Sequence, residues 1–254
     1  MMLEELKQSV TPAGGEFVTL LKQPDADVRL VCFHFAGGSA QSFLSWRQPS
    51  TNICELLAAE LPGRSRRYSE SFAPTILDAA ESFADAYARL EPRKCVFYGH
   101  SLGALLAYET ARILAKRGIA GPDRLVVSSR SAPGRFPASV GLPELSDASL
   151  MKYLRDLQGT KQSVLENKML MEMMLPIIRA DLEIIYGYRH HNNPVLEIPV
   201  DVIGATDDHH CPFELLLNWR NVTNGKFSLR MIPGGHFAPI AHPDIVLEAV
   251  NSLR

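Results

Sequence analysis

Short apolar runs alternate with amphipathic stretches along much of the chain. Residues 28–33, 95–98, 124–129, 198–203 and 227–232 are mostly apolar and end in turn-forming residues, so each reads as a strand. A run at 53–61 gives a strand of mixed quality, stopped by Pro62-Gly63. Between them, Ile76, Leu77, Ala80, Phe83, Ala84 and Tyr87 recur at helical spacing, with Pro74 suited to the first turn of a helix over 74–90. A further helix runs from Ala104 to about Arg117 and is capped by Gly118, and a last one spans 243–253. Short helices are predicted at 42–48, carrying Phe43 and Trp46, and at 212–221. Residues 1–27 read as polar and irregular, apart from an apolar run at 17–21. Strand, helix, strand, helix, strand implies a parallel sheet with crossover helices.

That rhythm breaks over 133–197. Pro133, Gly134, Pro137, Gly141 and Pro143 mark a loop, and helical segments follow near 146–157, 163–175 and 176–188. Met169, Met171, Met173 and Met174 cluster there with Leu170 and Leu175. Methionine fills irregular apolar surface. By composition alone this is the core of an ordinary helical subdomain; its position inside an α/β pattern favours a lid. We therefore expect a single domain, 1–254, with a helical lid inserted at 133–197.

Length and charge leave this picture intact. The 254 residues suffice for one large α/β domain, and 46% hydrophobic with 21% charged residues is an ordinary globular composition. Net charge is 26 − 28 = −2, without the basic excess expected for nucleic acid or anionic membrane partners. No apolar run approaches the roughly 18 residues needed to cross a bilayer. The first ten residues lack the apolar core of a secretory signal. Cys32, Cys54, Cys95 and Cys211 form no C-x-x-C pair and read mainly as buried small hydrophobes, which fits a reducing cytoplasm.

Candidate chemistry centres on Gly99-His100-Ser101-Leu102-Gly103, a G-x-S-x-G pattern. Five residues recur by chance, but an apolar strand before and helix formers after are the context of a nucleophile elbow. Upstream, the strand at 28–33 ends in His34-Phe35-Ala36-Gly37-Gly38-Ser39. In an α/β-hydrolase the loop after this strand and the residue after the nucleophile supply the two oxyanion-hole N–H groups, here Ala36 and Leu102; a plain tight turn is the alternative. Downstream strands end in Asp207-Asp208 and in Gly234-Gly235-His236. Ser, Asp, His is the α/β-hydrolase order, and the ends of parallel strands share one ligand-binding edge. Ser101 would attack a carbonyl, His236 would carry its proton, and Asp208 or Asp207 would orient the imidazole.

The remaining polar groups have simpler readings. His100 packs or orients locally, and His34 precedes the oxyanion loop. The pairs His190-His191 and His209-His210 lack metal-ligand spacing, so no metal site is expected. Arg64, Arg66 and Arg67 read as a solvated or ion-paired face; docking of an acidic partner is the sharper alternative.

With these residues in place the chain resembles the type II thioesterases that accompany modular nonribosomal peptide and polyketide synthases. The resemblance runs through Phe35-Ala36-Gly37-Gly38-Ser39 with Trp46, Pro62-Gly63-Arg64 with Arg67 and Glu70, and Gly99-His100-Ser101-Leu102-Gly103-Ala104. It continues through Arg179-Ala180-Asp181, Trp219 and Gly234-Gly235-His236-Phe237. Two segments depart from it. Phe33-His34-Phe35 stands where the family often has Pro, and Gly204-Ala205-Thr206-Asp207-Asp208-His209 lacks the family's second Gly and its Pro. Counting from Gly204 and back from Trp219 puts Asp208 in the acid slot, whereas the general Gly-x-x-Asp spacing gives Asp207; Asp208 is preferred. The resemblance implies a stand-alone, monomeric editing thioesterase without a cofactor of its own. It would hydrolyse stalled or misprimed acyl groups from the phosphopantetheine arm of carrier-protein domains, through an entrance gated by the lid. A hydrolase of small free esters and a catalytically silent binding protein are the alternatives.

Overall fold

The structure, a computed structural model, describes residues 15–134, 146–190 and 195–254. Among these residues seven strands, β1 (Phe17–Leu21), β2 (Val28–Phe33), β3 (Glu55–Ala59), β4 (Lys94–His100), β5 (Arg124–Ser128), β6 (Val200–Ala205) and β7 (Phe227–Ile232), pair in the order β1-β3-β2-β4-β5-β6-β7. All neighbours run parallel except β1 and β3. Among the described residues, eight α-helices lie between or after them: α1 (Ile76–Tyr87), α2 (Leu102–Lys116), α3 (Asp147–Leu157), α4 (Gln162–Leu165), α5 (Lys168–Gly187), α6 (Phe213–Leu217), α7 (Ala238–Ala241) and α8 (Pro243–Asn251).

The period of two along a strand explains the layers. Val31 and Phe33 of β2, with Cys95 and Phe97 of β4, face one core, shared with α1 and α2. Val28, Leu30 and Cys32, with Val96 and Tyr98, face a second core, shared with α8 and a 3-10 helix at Ala40–Trp46. A strand buried on both sides reads as a continuous apolar run rather than an alternating one. The mostly parallel sheet with helices on both faces is the α/β-hydrolase architecture that the sequence pattern implies. Each of the two tryptophans is buried with its indole N–H satisfied, Trp46 by the Ile240 carbonyl at 2.9 Å and Trp219 by the Arg130 carbonyl at 2.7 Å.

Several elements differ from expectation. The run at 17–21 is a strand, β1, pairing antiparallel at the sheet edge, not part of an irregular segment. The helix expected at 42–48 is the 3-10 helix, held by a capping box at Ser39. Helical segments expected to divide at residue 176 join in one helix, α5, with Pro176 inside it. A proline there leaves one carbonyl of the preceding turn without its N–H partner but does not end a helix whose face is buried by Met171, Leu175, Ile178 and Leu182. The methionines divide: Met171 is buried and Met174 half-buried, whereas Met169 and Met173 are exposed. Residues 1–10, Pro137, Gly141, Pro143 and His191 lie outside the described residues.

Arg64 and Arg67 are ion-paired and buried rather than solvated, with Asp181 and Glu70 as partners, while Arg66 is exposed. Burial removes the first two from any docking surface. Beside them, buried Glu60 accepts the Ala40 N–H, and the Glu60 carbonyl accepts from Arg67. Burial pushes the Glu60 carboxyl up to about 7, against the Ala40 hydrogen bond and the Arg64 and Arg67 charges. The unfolded chain therefore loses this proton near pH 4.5 and the folded chain only near 7, so folding stability falls as pH rises through that window. Glu60→Gln keeps an acceptor for Ala40 and removes the titration. Between pH 5 and 7.5 the wild type should lose about 1–3 kcal/mol relative to this variant, measured by urea unfolding.

Candidate active site

β4 runs straight into α2, and Ser101 occupies the turn between them at φ 54°, ψ −113°. This is strained backbone for a residue with a side chain. Two glycines permit it. A β-carbon on Gly99 would stand 2.2 Å from the Gly103 carbonyl oxygen, and one on Gly103 would stand 2.0 Å from the Phe33 carbonyl oxygen. Strand and helix therefore cross at backbone contact distance. The Ser101 N–H donates to the Ser128 carbonyl of β5 at 2.9 Å, fixing the apex to the next strand.

His236 follows β7, and its carbonyl accepts from Ser129 Oγ at 2.9 Å. Asp208 Oδ2 lies 2.8 Å from His236 Nδ1. Burial alone would push the Asp208 carboxyl up, but the hydrogen bond and charge of His236 and the His210 N–H outweigh it, and the carboxyl sits below its usual value. An ionised carboxylate only accepts, so Nδ1 carries the proton and Nε2 is left as the base. The structure places the two neighbouring aspartates differently. Asp207 is exposed, its N–H donating to the Gly234 carbonyl, while Asp208 is buried against the imidazole. Ser101 and His236 line one cavity of about 50 Å³, walled by Phe35, Leu154, Met174, Ile178 and Phe237 among others.

Ala36 lines the same cavity, and the peptide units on both sides of it are anchored. The Phe35 carbonyl accepts from the Gly38 N–H at 2.9 Å and from His34 Nδ1 at 2.8 Å. The Gly37 N–H donates to Asp181 Oδ2 at 2.8 Å. Leu102, the other expected donor, is the first residue of α2 and buried directly after Ser101. His100 is fully buried, with Nδ1 2.8 Å from Ser128 Oγ, which also meets the Tyr98 hydroxyl at 2.8 Å. Burial first, then the neighbouring His236, hold His100 well below its usual value, so it is neutral.

The sequence reading brought Ser101, Asp208, His236, Ala36 and Leu102 forward, and all five lie around this cavity or beside its lining. It assigns no place in the site to His34, Arg64 or Asp181, although Arg64 is read as part of a solvated or ion-paired face and both Arg64 and Asp181 stand in motifs quoted above. The four cysteines are free and buried; burial pushes the Cys211 thiol up to about 12 and Cys54 to about 11. Among the described residues there is no cluster of His, Cys, Asp and Glu able to hold a metal ion, and no helix long and apolar enough to cross a membrane.

A serine at a strained strand-to-helix turn, with a carboxylate-held imidazole on the same cavity, defines a serine hydrolase of the α/β-hydrolase fold. Residues 28–253 match the thioesterase domain family, and the chain belongs to it. It is 35% identical over 218 residues to thioesterase PikA5 of Streptomyces venezuelae, covering 84% of this chain and 76% of that one. Gramicidin S biosynthesis protein GrsT of Aneurinibacillus migulanus is 33% identical over 221 residues, 87% of this chain and 86% of its own. Among solved structures, the type II thioesterase BorB from the borrelidin biosynthetic cluster superposes with a TM-score of 0.84 at 31% identity, covering 93% of this chain and 96% of that one. The resemblance stated from the motifs is thus borne out, and the chain is a thioester hydrolase.

The backbone crossing makes a direct prediction. Gly103→Ala drives a methyl group into the Phe33 carbonyl, so urea unfolding should show a loss of about 1–3 kcal/mol or more, with reduced labelling of Ser101 by a fluorophosphonate.

Proposed function

We propose that this chain removes stalled or misprimed acyl groups from the phosphopantetheine arm of carrier-protein domains in a nonribosomal peptide or polyketide pathway. The observation that carries the mechanism is the 2.8 Å contact between Asp208 and His236 at a cavity that His236 shares with Ser101. With Nδ1 protonated and held, Nε2 of His236 takes the Ser101 proton as the hydroxyl attacks the thioester carbonyl. The N–H groups of Ala36 and Leu102 hold the oxyanion; losing one such donor typically costs about 3–4 kcal/mol of barrier. Collapse of the tetrahedral intermediate breaks the carbon–sulfur bond, and the departing phosphopantetheine sulfur takes the proton back from His236 Nε2, leaving an acyl-serine beside a neutral imidazole. Water, activated by the same imidazole, then hydrolyses the acyl-serine and returns Ser101. These residues supply all the chemistry, so no metal or cofactor takes part; phosphopantetheine enters as part of the substrate.

The carrier-protein substrate is favoured by the kinship with PikA5, GrsT and BorB, the last described as a type II thioesterase of a biosynthetic cluster. In this reading 133–197 is a lid, supported by Leu154 and Leu157 of α3 and Met174 and Ile178 of α5 in the lining of the cavity that holds Ser101. The enzyme acts as a cytoplasmic monomer without nucleic acid or membrane as partner.

Two measurements test the proposal. Ser101→Ala should abolish release of acyl groups from a loaded carrier protein, and the wild type should turn over that substrate with a higher kcat/KM than a p-nitrophenyl ester of the same acyl group. A preference for the free ester would replace the carrier-protein reading with a small-ester hydrolase. For the acid, Asp208→Asn should lower kcat by about 10⁴-fold through loss of the correct imidazole tautomer, whereas Asp207→Asn should stay within several-fold of wild type. Equal losses would reject Asp208.

A further inference from the structure

The insertion helix α5 reaches across to the loop that carries Ala36. Asp181, on this helix, receives a bidentate ion pair from Arg64, with both contacts at 2.7 Å, and both side chains are almost wholly buried, at 4% and 2% exposure. The same Asp181 Oδ2 accepts the Gly37 N–H at 2.8 Å, and the same Arg64 nitrogen donates to the Gly38 carbonyl at 3.2 Å. One turn earlier on α5, Ile178 packs so closely that a β-carbon on Gly37 would lie 2.6 Å from it.

Consider what these bonds fix. A peptide unit is planar, so its N–H points opposite to its C=O. The Phe35 carbonyl is held by the Gly38 N–H and by His34, and that sets the direction of the Ala36 N–H in the same plane. Asp181 holds the next plane through the Gly37 N–H, so Ala36 cannot rotate about either of its soft dihedrals without breaking one of these hydrogen bonds. A carboxylate anchored bidentately by a guanidinium is a stiff point to hold it from.

We propose that Asp181, locked by Arg64, is a positioning residue: it couples the seating of the insertion helix to the orientation of the oxyanion-hole amide of Ala36. This rests on the reading that the Ala36 N–H is an oxyanion donor. Asp181 touches no reacting atom. Displacement of α5 would release the Gly37 amide and loosen the hole, so the site is complete only while that helix is seated.

The test uses the full chain with an acyl-thioester substrate and a trifluoromethyl ketone analogue, whose adduct with Ser101 places an oxyanion in the hole. Asp181→Asn turns an amide nitrogen on the guanidinium or on Gly37. Assayed where circular dichroism shows it folded, it should lose at least tenfold in kcat with KM within twofold of wild type. The ketone's Ki should rise by the same factor. Arg64→Met combined with Asp181→Leu replaces the pair by apolar side chains, which commonly preserves or raises stability. Its Tm should return toward wild type while kcat stays low and Ki high. Recovery of kcat and Ki together with Tm, or an Asp181→Asn variant with wild-type kcat, would overturn the proposal. Ala36→Pro separates the two levels, because it deletes the amide itself and should cost about 10²–10³-fold in kcat. Full activity in that variant would sink the oxyanion assignment; loss there with an unaffected Asp181→Asn would sink only the positioning role.

Discussion

The crossing of β4 and α2 over β2 is the constraint on which the site depends. Gly99 and Gly103 let three backbone segments meet at distances that no β-carbon tolerates. That proximity forces Ser101 into a conformation rarely adopted by residues with side chains and holds its hydroxyl at the edge where the parallel strands end. Strain of this kind persists only where the surroundings over-determine it. Here the surroundings are the central strands β2 and β4, buried and apolar on both faces, and an N–H donated by the serine itself to β5.

Around that fixed point the polar groups are arranged so that each is held by a second. Asp208 holds His236, and the His210 amide holds Asp208. Arg64 holds Asp181, and Asp181 holds Gly37. His34 holds the Phe35 carbonyl, with burial and then the Arg64 charge lowering its pKa to about 3, so that the ring stays neutral in a region already carrying a guanidinium. Such paired arrangements suit a reaction in which charge appears briefly on an oxygen and an imidazole, because the compensating dipoles need not reorganise when it does.

How far all this could be read from the chain depends on the sequence distance over which each feature is determined. The elbow is local: strand, glycine, serine, glycine and helix lie within a few residues, and the structure follows the pattern. The central strands were equally plain, because burial on both faces leaves continuous apolar runs. β1 was not, since five residues containing Thr19 gain their strand identity only by pairing with β3, some forty residues away. Spacing alone left Asp207 and Asp208 open. In the structure the two differ through a backbone hydrogen bond from Asp207 to Gly234 and the contact of Asp208 with His236, neither of which a local pattern encodes. The Arg64–Asp181 pair spans 117 positions, and three neighbouring arginines look alike until a fold buries two of them. Pro176 misled in the opposite direction, because a buried apolar face on α5 outweighs one missing hydrogen bond.

The four cysteines bear on the by-product of the proposed reaction. Each turnover would liberate a free sulfhydryl at the mouth of an enzyme that keeps all four of its own thiols buried, protonated and out of reach. Under mild oxidation the released arm would find no surface thiol on this chain with which to form a mixed disulfide. The choice of oxygen as nucleophile and the burial of every cysteine together keep the enzyme from being trapped by what it releases.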